Sequence, residues 1–357
     1  MSAKFCFFTE RQVGIGSAAG AIEPFVRRAG HAWRDVTYVE EGGWIEKLPL
    51  PGRTGGTARG FVQVTEQLLS NSYDGLLFLT HNPAVFHPLA LAQHPTVLWT
   101  DVTPAQLDLQ AEHYGHPVDG SRFVSKVKKA LVGSTFRRAT ICAAWSNWAR
   151  RSFVEDYGVE EERTAVVHPG IDLTRWKLPT RAPSSGLPRL LFVGGDFERK
   201  GGSLLLEVLR EHFQGRAELD IVTRDPVQEA SGVRVHHGLS AGSAPLVELY
   251  ERADVFVLPT QGDCFSIASM EAMAMGLPVV VSDVGGIADI VEPGASGSLM
   301  QPRDGRALRE SLDALVTDAE KRRAFGARGR VIVEDKFDAE KSAARLIELV
   351  ERATRLR

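Results

Sequence analysis

The chain has 357 residues, with 42 Lys and Arg against 45 Asp and Glu and a formal net charge of −3. This length predicts two domains, each able to bury its own core, and the balanced charge argues against a nucleic-acid partner. The cysteines, Cys6, Cys142 and Cys264, are widely spaced and form no CxxC pair. We therefore expect reduced thiols and a cytoplasmic protein rather than a disulfide framework or a zinc site.

The first half of the chain alternates strand and helix patterns. Its apolar start is too short for a signal peptide and predicts a buried strand over residues 5–8. Residues 14–16, Gly-Ile-Gly, lead into a helix that ends near Gly30. Further apolar runs predict strands near residues 36–39, 76–79, 96–99 and 140–144.

One stretch of the first half resembles a membrane span, because residues 75–100 contain no Asp, Glu, Lys or Arg. Pro83, Pro88 and Pro95 interrupt it, and proline breaks a helix. Two buried strands joined by a loop explain the stretch better, so we predict no transmembrane segment.

A polar, proline-rich connection over residues 178–188 separates the two halves. The second half restarts with a strand at residues 190–193 and a helix after Lys200. Further patterns predict strands at residues 219–222, 255–258 and 278–281 and a final helix at residues 339–357. Strands that alternate with helices predict parallel sheets, here in two Rossmann-like domains of the α/β class.

Residues 253–301 carry the most informative pattern. A strand runs into a polar turn with Asp263, and a short helix then opens near Ser266, carries Glu271 and ends at Gly276. The two carboxylates flank a helix N-terminus at the carboxyl end of a parallel strand, where doubly wound sheets bind ligands and phosphate is favoured. Carboxylates repel phosphate unless they serve another part of the ligand. Sugar and ribose hydroxyls are natural donors to them, so a nucleotide-diphospho-sugar fits.

A second pattern, FVGGDFERKGG over residues 192–202, places a glycine turn and two cations between a strand and a helix. Bare backbone at Gly195 allows close approach of a diphosphate. Lys200 supplies compact positive charge to a leaving group that gains negative charge.

These two patterns resemble the donor site of retaining glycosyltransferases of family 4, which have the GT-B fold. The family hallmark is two Glu separated by seven residues, with Phe-Gly after the first and Ala-Met-Ala-x-Gly-x-Pro-Val after the second. Here Asp263 is the first acid, Phe265 is followed by Ser266 instead of Gly, and Glu271 is the second acid. Residues 272–279, AMAMGLPV, match the run throughout.

The resemblance implies an α/β GT-B architecture, in which two Rossmann-like doubly wound domains face each other across a cleft and a C-terminal helix crosses back to the N-terminal domain. Residues 166–172 resemble the family signature that leads into the interdomain linker. The expected division is an acceptor domain, a linker, a donor domain and a returning helix, at residues 1–172, 173–188, 189–336 and 337–357.

For the donor side, the resemblance implies that Lys200 stabilises the departing diphosphate. The family has Arg where this chain has Gly195, and Arg199 either substitutes for it or is an exposed arginine at a helix start. Glu271 is expected to accept hydrogen bonds from ribose, and Asp263 from the transferred sugar. The remaining donor-binding candidates are the amides of Ser266, Ile267 and Ala268 and the loop at Gly16, which is otherwise a simple tight turn.

For the acceptor side, many family members carry a His after the fourth strand, where this chain has Asp101. Asp101 is a catalytic candidate that holds a sugar or acceptor hydroxyl, or it caps the helix that begins near Thr103. His81, after the preceding strand, and Thr103 are the acceptor-side candidates. His81, His87 and His94 fit no metal motif and no Asp-x-Asp pair is present, so we expect no metal and no cofactor.

The resemblance thus implies a retaining, metal-independent hexosyltransferase that uses a UDP-type or GDP-type sugar donor and a glycan, lipid or small-molecule acceptor. Two alternatives stay open: a sugar-nucleotide epimerase on the same fold, and a degenerate sugar-nucleotide-binding protein without turnover. Four positions differ from the family pattern and favour the binding protein without turnover: Asp101, Gly195, Asp263 and Ser266. Intact Lys200 and Glu271 argue against it.

Residues 120–154 contain no acid but eight Lys or Arg with apolar residues between them. This basic run, residues 122–151, either contacts an anionic membrane at the inner membrane face or is a solvated helix face.

Overall fold

The computed structural model describes residues 3–10, 15–37, 54–115, 122–180 and 186–357. The chain divides into two compact units. The first contains Met1–Leu109, Pro117–Gly170 and Ala339–Arg357, and the second contains Gln110–His116 and Ile171–Asp338. Residues 110–116, which the sequence analysis placed in the first domain, thus belong to the second unit. The boundaries fall at residues 170/171 and 338/339, and residues 181–185 of the expected linker lie outside the described residues.

The strands are numbered in chain order. They are β1 (Phe5–Glu10), β2 (Ala32–Val36), β3 (Gly75–Leu79), β4 (Thr96–Thr100), β5 (Ile141–Ala144), β6 (Thr164–Val166), β7 (Arg189–Val193), β8 (Glu218–Val222), β9 (Val233–His236), β10 (Val255–Leu258), β11 (Val279–Ser282) and β12 (Gly297–Met300).

The helices surround the two sheets. They are α1 (Ile15–Arg28), α2 (Thr54–Ser70), α3 (Asn82–Val85), α4 (Pro88–Gln93), α5 (Pro104–Leu109), α6 (Ala111–Tyr114), α7 (Arg122–Arg138), α8 (Asn147–Glu155), α9 (Gly202–His212), α10 (Ala244–Arg252), α11 (Ile267–Ala274), α12 (Gly305–Thr317), α13 (Ala319–Lys336) and α14 (Ala339–Arg355), with single 3-10 turns at Glu161–Arg163 and Ile287–Asp289.

Each unit contains one six-stranded parallel sheet. The strand order is β2-β1-β3-β4-β5-β6 in the first unit and β12-β11-β10-β7-β8-β9 in the second. The central strands β3 and β10 are continuous apolar runs that are buried along their length, as parallel strands covered by helices on both faces require. The predicted α/β class with two doubly wound sheets is confirmed.

The chain reverses its direction of winding between β1 and β3 in the first sheet and between β7 and β10 in the second. Ligands of doubly wound proteins bind at such switch points, beyond the carboxyl ends of the strands. The topology therefore predicts ligand binding at the loops that follow β1 and β3 in one unit and β7 and β10 in the other.

The final helix, α14, packs within the first unit against α1, β3 and β4. Its apolar stripe, which includes Leu346 and Val350, is fully buried. Val350 lies directly on β3, where a Cβ at Gly75 would be 2.7 Å from its Cγ1.

Some predicted boundaries differ from the structure. The second strand spans Ala32–Val36 instead of residues 36–39, because Ala32–Val36 is the segment that pairs in register with β1. The helix that carries Glu271 ends at Ala274, two residues before Gly276. Gly276 follows it with φ +72°.

Candidate functional site

The second sheet brings two loops together at its switch point. β10 pairs in parallel with β7, with Val255 opposite Leu190 and Phe256 opposite Leu191. Parallel strands end at the same edge of a sheet, so the loop after β7 and the loop after β10 leave side by side. These loops carry Lys200 and Asp263.

A buried ion pair joins the two loops. Lys200 Nζ donates a short hydrogen bond to Asp263 Oδ2, and the two side chains are only 15% and 8% exposed. The loops touch closely because residue 201 is glycine. Gly201 has φ +80°, and a Cβ there would lie 2.0 Å from the carbonyl oxygen of Pro259.

Arg199 is a second link between these loops. Its Nε lies 3.1 Å from Asp196 Oδ2, and its Nη1 donates to the carbonyl of Gly262 at 2.7 Å. Its guanidinium carbon lies 4.4 Å from the ring centre of Tyr114, which places the Tyr114 ring against the loop after β7. Arg199 is therefore not an exposed arginine at a helix start, since its side chain is 16% exposed and bonded to protein groups.

The helix α11 begins at the predicted place. Ser266 is its N-cap, and the Ser266 hydroxyl accepts a hydrogen bond from the amide of Ser269 at 3.2 Å. Ile267 and Ala268 form the first turn and are partly exposed. The amides of a first helical turn have no partner within the helix, so this end favours an anion.

Glu271 lies on the same helix and is 7% exposed. The Tyr250 hydroxyl donates a hydrogen bond to Glu271 Oε2 at 3.1 Å. Burial raises the pKa of Glu271 to about 8, against the opposing effects of the Tyr250 hydrogen bond and the charge of Arg175. The carboxyl group is therefore mostly protonated at neutral pH.

The switch point of the first sheet also gathers polar groups. Glu10 ends β1 and is fully buried, and it accepts hydrogen bonds from the Thr80 hydroxyl and from Asn82 Nδ2. Thr80 has φ +76°, a strained conformation for a β-branched residue and one that occurs most often at functional sites. Glu10 and Thr80 are not among the residues predicted from the sequence, although an acid at the end of the first strand is a recognisable signal.

His81 follows Thr80 and is partly buried. Its Nδ1 atom is buried with no hydrogen-bond partner among the described residues, and its ring packs against Phe136. Burial lowers the pKa of His81 to about 4, so the imidazole is neutral at neutral pH.

Thr103, rather than Asp101, caps the helix α5. The carbonyl of Thr103 accepts the hydrogen bond of Leu107 N at 2.9 Å, as an N-cap residue does. Thr103 is fully buried, and its hydroxyl oxygen lies 2.6 Å from Ser152 Oγ. This position does not support the expected direct contact of Thr103 with an acceptor. Asp101 is partly buried beyond the carboxyl end of β4, and its Oδ1 accepts a hydrogen bond from the Thr100 hydroxyl at 3.4 Å.

Gly16 lies in the first turn of α1 and is partly exposed, with no atom within 4 Å of the place where its Cβ would be. Across the described ranges, no three His, Cys, Asp or Glu side chains cluster in a way that would hold a metal ion. Within the same ranges, no helix has both the length and the apolar content needed to cross a bilayer.

Part of the chain is similar to a known protein family. Residues 187–318 match the family model described as glycosyl transferases group 1. A D-inositol 3-phosphate glycosyltransferase of Nocardia farcinica is 30% identical over 205 residues, which are 50% of this chain and 45% of that protein. A glycogen synthase of Mycobacterium tuberculosis is 31% identical over 268 residues, which are 70% of this chain and 63% of that protein. The chain thus spans between about half and two thirds of these relatives.

Solved structures resemble the whole chain. A sucrose-phosphate synthase from Thermosynechococcus elongatus aligns with a TM-score of 0.76 at 16% identity and covers 99% of this chain and 100% of that one. HepE from Anabaena, solved in complex with UDP-glucose, aligns with a TM-score of 0.71 at 17% identity and covers 98% of this chain and 100% of that one. The chain has the GT-B fold of glycosyltransferases. Within it, residues 187–318 are the part that matches the group 1 glycosyltransferase model.

The raised pKa of Glu271 predicts a pH dependence of stability. Folded Glu271 keeps its proton up to about pH 8, whereas the unfolded chain loses it near the ordinary value of 4.5. The unfolded state therefore binds fewer protons in this window, and the free energy of unfolding falls as pH rises, by at most about 1.4 kcal/mol per pH unit. Glu271→Gln removes this contribution. In urea unfolding at pH 5.5 and 7.5, the parent should lose stability relative to the variant. An equal change in the free energy of unfolding of both proteins between the two pH values would contradict the raised pKa of Glu271.

Proposed function

We propose that the chain is a glycosyltransferase that moves a hexose-type sugar from a nucleotide diphosphate to a hydroxyl group of a glycan, a lipid or a small molecule. One observation carries the proposal: the buried Lys200–Asp263 pair lies at the switch point of the second sheet, beside the exposed first turn of α11. HepE, which shares the fold, is solved in complex with UDP-glucose. A nucleotide-sugar donor of UDP or GDP type is the ligand that such groups recognise.

Lys200 and α11 provide positive charge for the donor diphosphate. An ammonium group has three donors, and Asp263 takes one of them. The others are left for phosphate oxygens. The amides of Ser266, Ile267 and Ala268 at the start of α11 add fixed donors. Charge that is already in place when the leaving group becomes more negative stabilises the transition state more than the ground state.

The two carboxyl groups serve the hydroxyl groups of the donor. Asp263 uses Oδ2 for Lys200, and its Oδ1 makes no hydrogen bond among the described residues, so Oδ1 accepts from the transferred sugar. Glu271 lies further along α11 and accepts from the ribose hydroxyls. Ribose binding favours the ionised carboxylate, so nucleotide binding lowers the pKa of Glu271 and releases a proton.

The proposed reaction retains the configuration of the sugar. The acceptor oxygen bonds to the anomeric carbon on the face from which the diphosphate departs, the bond from that carbon to the phosphate oxygen breaks, and the acceptor proton passes to the departing phosphate oxygen. No protein nucleophile and no metal is needed, because Lys200 and the α11 amides offset the developing charge. Asp101 and His81 of the first unit are proposed on the acceptor side, where a neutral His81 offers a hydrogen bond rather than a charge.

The decisive experiment has two stages. A thermal-shift panel of UDP-, GDP-, ADP- and dTDP-sugars identifies the donor, since a ligand bound only by the folded state raises stability. Transfer and hydrolysis of the selected donor are then measured, with the configuration of the product determined by NMR. A protein that binds a donor but never transfers or hydrolyses it is a binding protein, and one that converts the donor sugar is an epimerase.

The Lys200–Asp263 pair gives a prediction that separates structure from catalysis. Lys200→Met leaves Asp263 buried without its partner, which costs about 3 kcal/mol of stability. The neutral pair in Lys200→Met/Asp263→Asn should recover most of this loss. Transfer should stay at least tenfold below that of the parent in both variants, because the charge that serves the leaving group is gone. Denaturant unfolding and initial transfer rates check this. A double variant that regains parent activity would remove Lys200 from the mechanism.

Metal independence gives a second prediction. Transfer should continue in excess EDTA after exhaustive dialysis, since the charge on the diphosphate is met by Lys200 and α11. The control is the dialysed enzyme with added manganese or magnesium. Loss of activity that only the metal restores would contradict this chemistry.

The basic run of the first unit is proposed as a membrane contact. Lys126, Lys128 and Lys129 lie on α7 and are exposed, and Val127 and Leu131 beside them are 49% and 43% exposed. Basic residues near anionic lipid contribute about 1 kcal/mol each, and exposed apolar side chains add burial in the interface.

Binding to anionic vesicles should therefore fall steeply between low and high salt, because exposed charges are screened. Reversal of Lys126, Lys128 and Lys129 to Glu should abolish co-sedimentation with the vesicles. The triple variant Arg309→Glu/Arg323→Glu/Arg355→Glu makes the same change in net charge on exposed residues of other helices and should keep the binding. If both triple variants lose vesicle binding equally, or if the parent co-sediments equally with neutral vesicles, the membrane contact is wrong. The basic run is then a solvated helix face.

A further inference from the structure

Two consecutive glycines follow β7, and each leaves the space of its missing side chain to a cation. A Cβ at Gly194 would lie 2.9 Å from the Cβ and the Cγ of Lys200. A Cβ at Gly195 would lie 2.8 Å from Nε and 3.1 Å from Nη2 of Arg224. The glycine pair therefore has a packing reason: it admits one lysine stem and one guanidinium group to the same turn.

Arg224 lies in the loop that follows the neighbouring strand, β8. β8 pairs in parallel with β7, with Val222 opposite Val193, so the loop after β8 lies beside the glycine turn. Arg224 Nε donates to the carbonyl of Gly195 at 3.3 Å. The guanidinium thus occupies the place where a side chain at position 195 would begin.

Hydrogen bonds between backbone amides and side chains hold this loop in place. The next residue, Asp225, accepts a hydrogen bond from the amide of Phe197 at 2.6 Å, which ties the loop after β8 to the loop after β7. The amide of Asp225 also donates to Thr223 Oγ1 at 3.2 Å. The position of Arg224 is therefore set by its neighbours on both sides.

The two arginines near this turn, Arg199 and Arg224, differ in their hydrogen-bond and stacking partners. Arg199 is bonded to Asp196 and Gly262 and stacked on Tyr114. For Arg224, the described part of the chain shows no acidic partner, and its side chain is exposed beyond the sheet. Arg224 is the arginine with N–H groups left for an anion, and Arg199 is the one committed to holding the loops together.

We propose that Arg224 binds the donor diphosphate together with Lys200 and is the second cation of this glycine turn. This inference rests on the proposed function and deepens it. A guanidinium group presents paired donors that match two phosphate oxygens, and Lys200 adds a point charge next to it.

Calorimetric titration with UDP, GDP, ADP and dTDP, and with inorganic pyrophosphate, tests the proposal on the full chain. For the nucleoside diphosphate that binds the parent best, Arg224→Gln should weaken binding about tenfold, whereas affinity for the nucleoside without phosphates should not change. The affinity of Arg224→Lys for the nucleoside diphosphate should lie between that of the parent and that of Arg224→Gln. Arg309→Gln, an exposed arginine on α12, is the matched control and should bind as the parent does.

A relocation variant tests the geometry. Gly195→Ala alone should weaken diphosphate binding, because its methyl group collides with Arg224. Gly195→Arg/Arg224→Ala places the guanidinium on residue 195 in the space that Arg224 vacates, and it should regain most of the affinity lost in Arg224→Ala. Thermal unfolding of each variant shows whether it is folded.

The outcomes distinguish this inference from the proposed function. Parent-like diphosphate binding in Arg224→Gln, together with loss of binding in Lys200→Met, overturns the role of Arg224 and leaves the glycosyltransferase proposal standing. Equal weakening of nucleoside and nucleoside diphosphate also overturns it, because the effect would then not depend on phosphate. A parent that binds none of the four nucleotides overturns both.

Discussion

Parallel pairing of β10 with β7 is the constraint on which the candidate site depends. It sets two loops, 63 residues apart at Lys200 and Asp263, against the same edge of the sheet. The winding reverses between these strands, so no crossover helix covers the loops there. The buried ion pair, the first turn of α11 and the glycine turn are consequences of this one junction.

The carboxyl groups of the site are kept compatible with an anionic ligand in two different ways. Asp263 forms an ion pair with Lys200, so their charges offset each other. Glu271 is bonded to the neutral Tyr250 hydroxyl instead, and burial keeps its proton on at neutral pH. The sequence predicts repulsion between these two carboxyl groups and a bound phosphate. That repulsion is therefore reduced before any ligand binds. Pairing and desolvation reach the same result, and the desolvation of Glu271 lowers the stability of the fold as pH rises from 4.5 to about 8.

The sequence predicts those parts of the site that follow one another along the chain. The spacing of Asp263, Ser266 and Glu271 and the turn before Lys200 are local patterns, and the sheet class follows from the alternation of strands and helices. The residues that were not predicted from the sequence reach the site through tertiary contacts. Arg224 comes from the loop after β8, and Tyr114 comes from a segment expected in the other domain. The short strands β9 and β12 were missed because their sequences are partly polar and lie at the two edges of the sheet, where burial gives a weaker pattern.

The helix α14 has a consequence for the order in which the molecule is made. It fills the surface of the first unit against α1 and β3, yet it follows the whole of the second unit along the chain. A ribosome therefore finishes the second unit before it releases the residues that close the first. Domains usually fold as they emerge, from the N-terminus onward. In this protein the N-terminal unit, with apolar surface around Gly75 still uncovered, has to wait for the last segment of the chain.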